Sequence, residues 1–109
     1  VILTTTTDYG TNYSHPVLIS SWVVAGIEFR YTDEKPNLIE IEVGNWPDQF
    51  HKLYDDCGNQ ITITYDDDVN ENPLVVAIDP RLTLGWSYVR FRSAVATGQL
   101  DITLRLARV

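Results

Sequence analysis

The sequence predicts an all-β fold: a two-sheet antiparallel β-sandwich, jelly-roll-like, of about eight short strands. Three observations predict it. Apolar and polar residues alternate with a period of two in one run after another, which puts one set of side chains on a buried sheet face. The runs recur at roughly 8–12-residue spacing and are separated by clusters of Gly, Pro, Asn and Asp. No stretch carries a sustained helical period. At 109 residues and 44% hydrophobic, the chain forms a single domain, residues 1–109, able to bury a core without staples.

The first segment, Val1-Ile2-Leu3-Thr4-Thr5-Thr6-Thr7, is rich in β-branched residues and favours extended backbone. Polar turn residues follow as far as Ser14, so residues 1–14 read either as an ordinary first strand or as an extended N-terminal arm. A short strand follows through Val17, Leu18 and Ile19. From Gly26 to Thr32, Ile27, Phe29 and Tyr31 share one face. After the charged turn at Asp33-Glu34-Lys35-Pro36-Asn37, Ile39, Ile41 and Val43 point inward and Glu40 and Glu42 outward. Two such runs around a short turn predict an antiparallel hairpin.

Gly44 to Gln49 interrupts the alternation and carries Trp46. The runs Phe50–Tyr54 and Gln60–Tyr65 flank a Gly-containing turn, which predicts a second hairpin. The all-apolar run from Leu74 to Ile78 predicts a strand buried on both faces. Asp79 to Leu84 predicts one helical turn. The closing strand aligns Leu100, Ile102, Leu104 and Leu106. The expected core is Ile27, Phe29, Ile39, Ile41, Ile61, Ile63, Val76, Ile78, Val89, Phe91, Ile102 and Leu104.

The strand after Gly85 is the most informative. Val89 and Phe91 fall on one face and Trp86, Tyr88, Arg90 and Arg92 on the other. Arginine stacks on aromatic rings and pairs with carboxylates in two-pronged fashion. A central strand whose outer face meets acidic neighbours is therefore expected. The charge distribution agrees. Residues 1–80 carry 14 acidic and 3 basic side chains and residues 81–109 carry 1 and 5, for a net charge of −7. That balance argues against nucleic acid as a partner, and the late arginines are expected to pair within the fold or across a subunit interface.

No catalytic constellation emerges, and the chain is read as a non-enzyme. Cys57 sits in an acidic turn that weakens a thiolate nucleophile, and neither His51 nor His15 is spaced to serve it. The loop Asp66-x-Asp68-x-Asn70 opens like a calcium loop. It lacks the Gly and the bidentate Glu such a loop needs, having Glu71 and Ala77 there. No metal or other cofactor is expected. No apolar run is long enough for a membrane span. The absence of Met leads us to expect a segment before Val1. Trp46, Trp86 and Tyr88 are read first as packing residues, Trp86 and Tyr88 over the arginines and Trp46 plugging one end of the core, and second as a sugar-stacking platform.

Four segments carry a resemblance. Phe50-His51-Lys52-Leu53-Tyr54-Asp55-Asp56-Cys57-Gly58-Asn59-Gln60-Ile61-Thr62 is similar to an "nlyDdxGnevt" hairpin, and Ala77-Ile78-Asp79-Pro80 to an "aldP" strand end. Gly85 through Ser93 is similar to a "GxxyvklRS" strand, and Ile102-Thr103-Leu104 to its closing strand. In order and spacing these resemble a family of small structural proteins of tailed bacteriophages and prophages. Here Ala94-Val95 follows Arg92-Ser93 where the family continues Gly-Thr, and the family's Trp-Thr is replaced by Leu38-Ile39-Glu40-Ile41.

The resemblance implies a virion protein on the capsid surface, in particular a capsid decoration or cement protein. Implied partners are the major capsid protein or other virion proteins, with a homo-oligomer, no nucleic acid and no membrane. The expected partner-binding residues are Val1, Ile2, Leu3, Thr4, Thr5, Thr6 and Thr7, with Asp66, Asp67 and Asp68. The alternatives are a glycan-binding module of a head or tail fibre and a tail or neck connector.

Overall fold

The computed structural model describes residues 2–7, 12–32, 35–36, 38–64, 72–93 and 99–108. Nine strands run in order: β1 (Ile2–Thr6), β2 (Val17–Leu18), β3 (Trp22–Tyr31), β4 (Leu38–Trp46), β5 (Gln49–Lys52), β6 (Thr62–Thr64), β7 (Leu74–Ala77), β8 (Tyr88–Ser93) and β9 (Leu100–Arg108). One sheet has the order β1-β9-β3-β7 and the other β2-β8-β4-β5, with β6 also on β4. Every pairing is antiparallel. The pairs nest: β1 with β9, β2 with β8, β3 with β7, and β4 with β5 and β6. That is one long hairpin rolled so that successive pairs alternate between sheets, the jelly-roll arrangement.

The core lies between the sheets. Ile27, Phe29, Ile39, Ile41, Val89, Phe91, Ile102 and Leu104 are all buried, as their alternation predicts. Phe29 of β3 meets Phe91 of β8 edge to face across the sandwich, with centroids 5.9 Å apart. Val17, Ile19, Val24, Val43, Leu53, Leu100 and Leu106 complete the cluster. The helical turn expected after Asp79 is a 3-10 turn, Pro80–Leu82, begun by the Asp79 carboxylate, which accepts the Arg81 N–H. Just beyond it Thr83 is fully buried, and its Oγ1 accepts the Val24 N–H at 2.9 Å. That bond lies beside the register shift between Val24 and Gly26, where β3 bulges.

Several expectations are corrected. The runs of β3 and β4 do not form a hairpin. β3 lies between β9 and β7, whereas β4 lies in the other sheet between β8 and β5–β6. The reason is burial: each run has an apolar face, and facing across the core buries both faces where side-by-side pairing alone would bury neither. The second predicted hairpin closes only at its tip, where Tyr54 bridges Gln60 and the Ile61 N–H donates to Leu53 O at 2.7 Å. Beyond the tip its arms part, β5 lying along Glu42–Trp46 and β6 along Leu38–Glu40.

β7 is an edge strand, not one buried on both faces, and its Val75 is 64% exposed. Ile61, Ile63, Val76 and Ile78 are half-buried, not core. They line a gap of about 200 Å³ where the margins of the two sheets stand apart at β6 and β7. Trp46 does not plug the core. It is 64% exposed at a two-residue turn, Pro47-Asp48, that joins β4 to β5. Gly44 is required here, because a Cβ would overlap the Gln49 carbonyl oxygen.

Candidate functional site

The outer face of the β2-β8-β4-β5 sheet shows what Arg90 and Arg92 do; Trp86, expected on the same face, precedes the strand and packs against the core instead. Register places Glu42 opposite Arg90 and Glu40 opposite Arg92. Arg90 Nε donates to Glu42 Oε1 at 2.6 Å, and Arg92 Nη1 donates to Glu40 Oε1 at 2.9 Å. Glu40 Oε2 accepts from Gln60 Nε2 at 2.8 Å, and Lys52 Nζ lies 3.9 Å away. The Arg90 guanidinium sits over two rings, 4.2 Å from the Tyr13 centroid and 4.3 Å from Phe50. Arg90 thus stacks on Tyr13 and Phe50, and Arg92 lies 5.8 Å from the Tyr13 centroid. These rings come from other parts of the chain than the Trp86 and Tyr88 expected to cover the arginines. Glu40 and Glu42 point outward as predicted, yet both are buried under this cover.

The Gln60 hydrogen bond, with Arg92 and Lys52 behind it, holds the Glu40 carboxyl below its ordinary range against the opposing effect of burial. A carboxylate whose pKa falls on folding stabilises the protein fully above its unfolded value. That stabilisation is lost as pH falls through the folded value. Urea unfolding free energy is therefore expected to drop as pH goes from about 5 downward through the acidic carboxylate range. Glu40→Gln should flatten that portion of the profile, and an unchanged slope would disprove the assignment.

The predicted first segment forms β1, the outer strand of its sheet, paired with β9 from Ile2↔Arg105 to Thr6↔Asp101. Its threonines alternate in role. Thr5 is buried and its Oγ1 donates to His15 O at 3.0 Å. Thr7 is buried and its Oγ1 accepts the Leu100 N–H at 3.0 Å, while its own N–H donates to Leu100 O at 3.1 Å. By the two-residue alternation of antiparallel ladders, Leu3 and Thr5 then bond β9, and Ile2, Thr4 and Thr6 turn N–H and C=O toward the edge, which is free of any strand among the described residues. Ile2 is 57% exposed. Val1 and the loop residues Asp66, Asp67 and Asp68 lie outside the described residues.

At one end of the sandwich, the hairpin tip and the Asp79–Trp86 connection enclose an open cleft of about 540 Å³. Trp86, Val43, Leu53 and Leu82 form its apolar part, and Tyr54, His51, Lys52, Asp55, Asp56, Asp79 and Arg81 its polar rim. The His51 ring is tilted toward Trp86 with centroids 6.4 Å apart. Asp79 and Arg81 pair at 2.8 Å, and their hydrogen bond lowers the Asp79 carboxyl and raises the Arg81 guanidinium.

Ligand atoms of Asp55, Asp56 and Cys57 gather within 4.8 Å. Asp55 Oδ1, however, already accepts the N–H groups of Cys57 and Asn59, both at 2.9 Å. With Gly58 at φ 85°, this is the chemistry of a tight turn. His15 and His51 are both exposed, and His51 shares the cleft rim with Asp55 and Asp56 of the Cys57 turn.

The structure does not gather the three aromatics proposed as a platform into one site. Trp86 lines the cleft, whereas Trp46 and Tyr88 are not among its walls. Sequence reasoning missed the cleft because its walls come from segments some 30 residues apart. The fold defines a class, a small jelly-roll module, and it carries this end-on cleft together with a second open cleft of about 520 Å³ along β1 and β9, lined by Thr4, Thr6, His15 and Asp101. Compared with protein families and with curated proteins, the chain matches none.

Proposed function

We propose that this protein is a non-enzymatic structural component of a tailed-phage virion, serving as a capsid decoration or cement protein on the major capsid protein or another virion protein. The observation that carries the reading is the edge strand β1, with Thr5 and Thr7 pinned inward and the Thr4 backbone turned to the free edge. Such an edge accepts or donates a strand across a junction between subunits. Backbone hydrogen bonds then supply affinity, and alternate side chains supply register. The resemblance at residues 50–62, 77–80, 85–93 and 102–104 supports the same reading. The buried ion pairs and stacked arginines suit a module that must stay rigid while bridging neighbours.

Particles lacking the protein, supplied with purified variants, test it. Thr4→Val should bind like the unaltered chain. Thr4→Pro removes a donor that faces away from β9, so it should fold normally and lose occupancy at least tenfold. Equal occupancy of the two variants would defeat the strand-addition reading. Neutralising Asp66, Asp67 and Asp68 together to Asn should weaken binding in low salt, and no effect there removes the acidic loop from the interface.

A further inference from the structure

We propose that the end-on cleft walled by Trp86 binds a neutral saccharide, a role separate from strand addition at β1. Its volume of about 540 Å³ falls within the roughly 300–1,000 Å³ of small-molecule sites. The chemistry of the walls selects among small molecules. The half-buried Trp86 indole and Leu82, backed by the buried Val43 and Leu53, offer an apolar surface, which suits a ligand with an apolar face. Around it stand acceptors and donors: Asp56 accepts, Lys52 donates and Tyr54 does both, while Asp79 and Arg81 hold each other at 2.8 Å.

That set does not suit a strongly charged ligand. The rim holds three carboxylates, Asp55, Asp56 and Asp79, against the cations Lys52 and Arg81, and Arg81 is already paired with Asp79. A phosphate would face the carboxylates, and an ammonium would face the cations. A sugar ring matches both features at once: its C–H face covers the indole, and its hydroxyls donate to Asp56 and accept from Lys52. Because the cleft is open at the sandwich end, it takes a terminal residue or a short stretch of a longer chain. None of its walls belongs to β1, so one protein can hold both a virion partner and a glycan.

The test uses the whole chain on an immobilised panel of neutral, sulfated and sialylated oligosaccharides, with inorganic phosphate as a soluble competitor. Retention on neutral saccharides is expected, unaffected by phosphate. Titration calorimetry with the retained oligosaccharide should show at least tenfold weaker binding for Asp56→Ala and for Trp86→Phe, at an unchanged melting temperature for Asp56→Ala. Trp46→Ala should bind as the unaltered chain does. Retention of no saccharide, retention of sulfated or sialylated ones alone, or undiminished binding by Asp56→Ala would overturn the proposal. Asp56→Ala should keep full occupancy on particles, so the outcome here is read separately from that of the β1 experiment.

Discussion

Phe91→Ala is expected to lower the unfolding free energy by about 3–5 kcal/mol, the range for removing a large aromatic side chain from a packed core. Phe91 is fully buried on β8 and meets Phe29, equally buried on β3, at 5.9 Å with an interplanar angle of 82°. The edge-to-face contact joins the two sheets, so its loss removes packing that neither sheet can replace by itself. Urea denaturation should show a lower midpoint with little change in slope. Phe91→Leu should recover more than half of the loss because it refills most of the volume. A cost for Phe91→Ala below about 1 kcal/mol would mean that the sandwich collapses into the space, contrary to a tightly interlocked core.

Arg90→Met should cost about 3 kcal/mol, the lower end of the range for breaking a buried ion pair, because Arg90 keeps 27% side-chain exposure. The cause is the partner left behind: the Glu42 side chain is only 7% exposed and would lose its 2.6 Å donor. The double variant Glu42→Met, Arg90→Met should regain most of that stability. It removes the stranded charge, and the thioether still packs between Tyr13 and Phe50. Calorimetric melting of the single and double variants decides it. If the double variant is as unstable as Arg90→Met, the ion pair contributes net stability beyond avoiding an unpaired charge.

Much of the sandwich could be read from residues. The alternation in β3, β4, β8 and β9 located eight of the twelve expected core positions correctly. The Arg90 and Arg92 face of β8 predicted carboxylate partners, and Glu42 and Glu40 are those partners. Ile61, Ile63, Val76 and Ile78 carry the same alternation but lie at the sandwich margin. Position within a sheet is not written in a strand's own pattern. β7 shows this most plainly, since an apolar run reads the same whether its second face meets a helix layer or water.

By itself the sequence determined most of the strands (though not residues 22–25 at the start of β3), which face of each is apolar, and that charge of one sign lies opposite the other. Those are properties of a residue and its near neighbours, set by the two-residue period of extended chain. Only the tertiary structure decided that β3 and β4 face each other across the core, that Glu40 and Glu42 are buried, and that Trp86 shares a cleft with Asp56 and Arg81. Each of these depends on which distant strands become neighbours, and that is settled by burying all the apolar faces together.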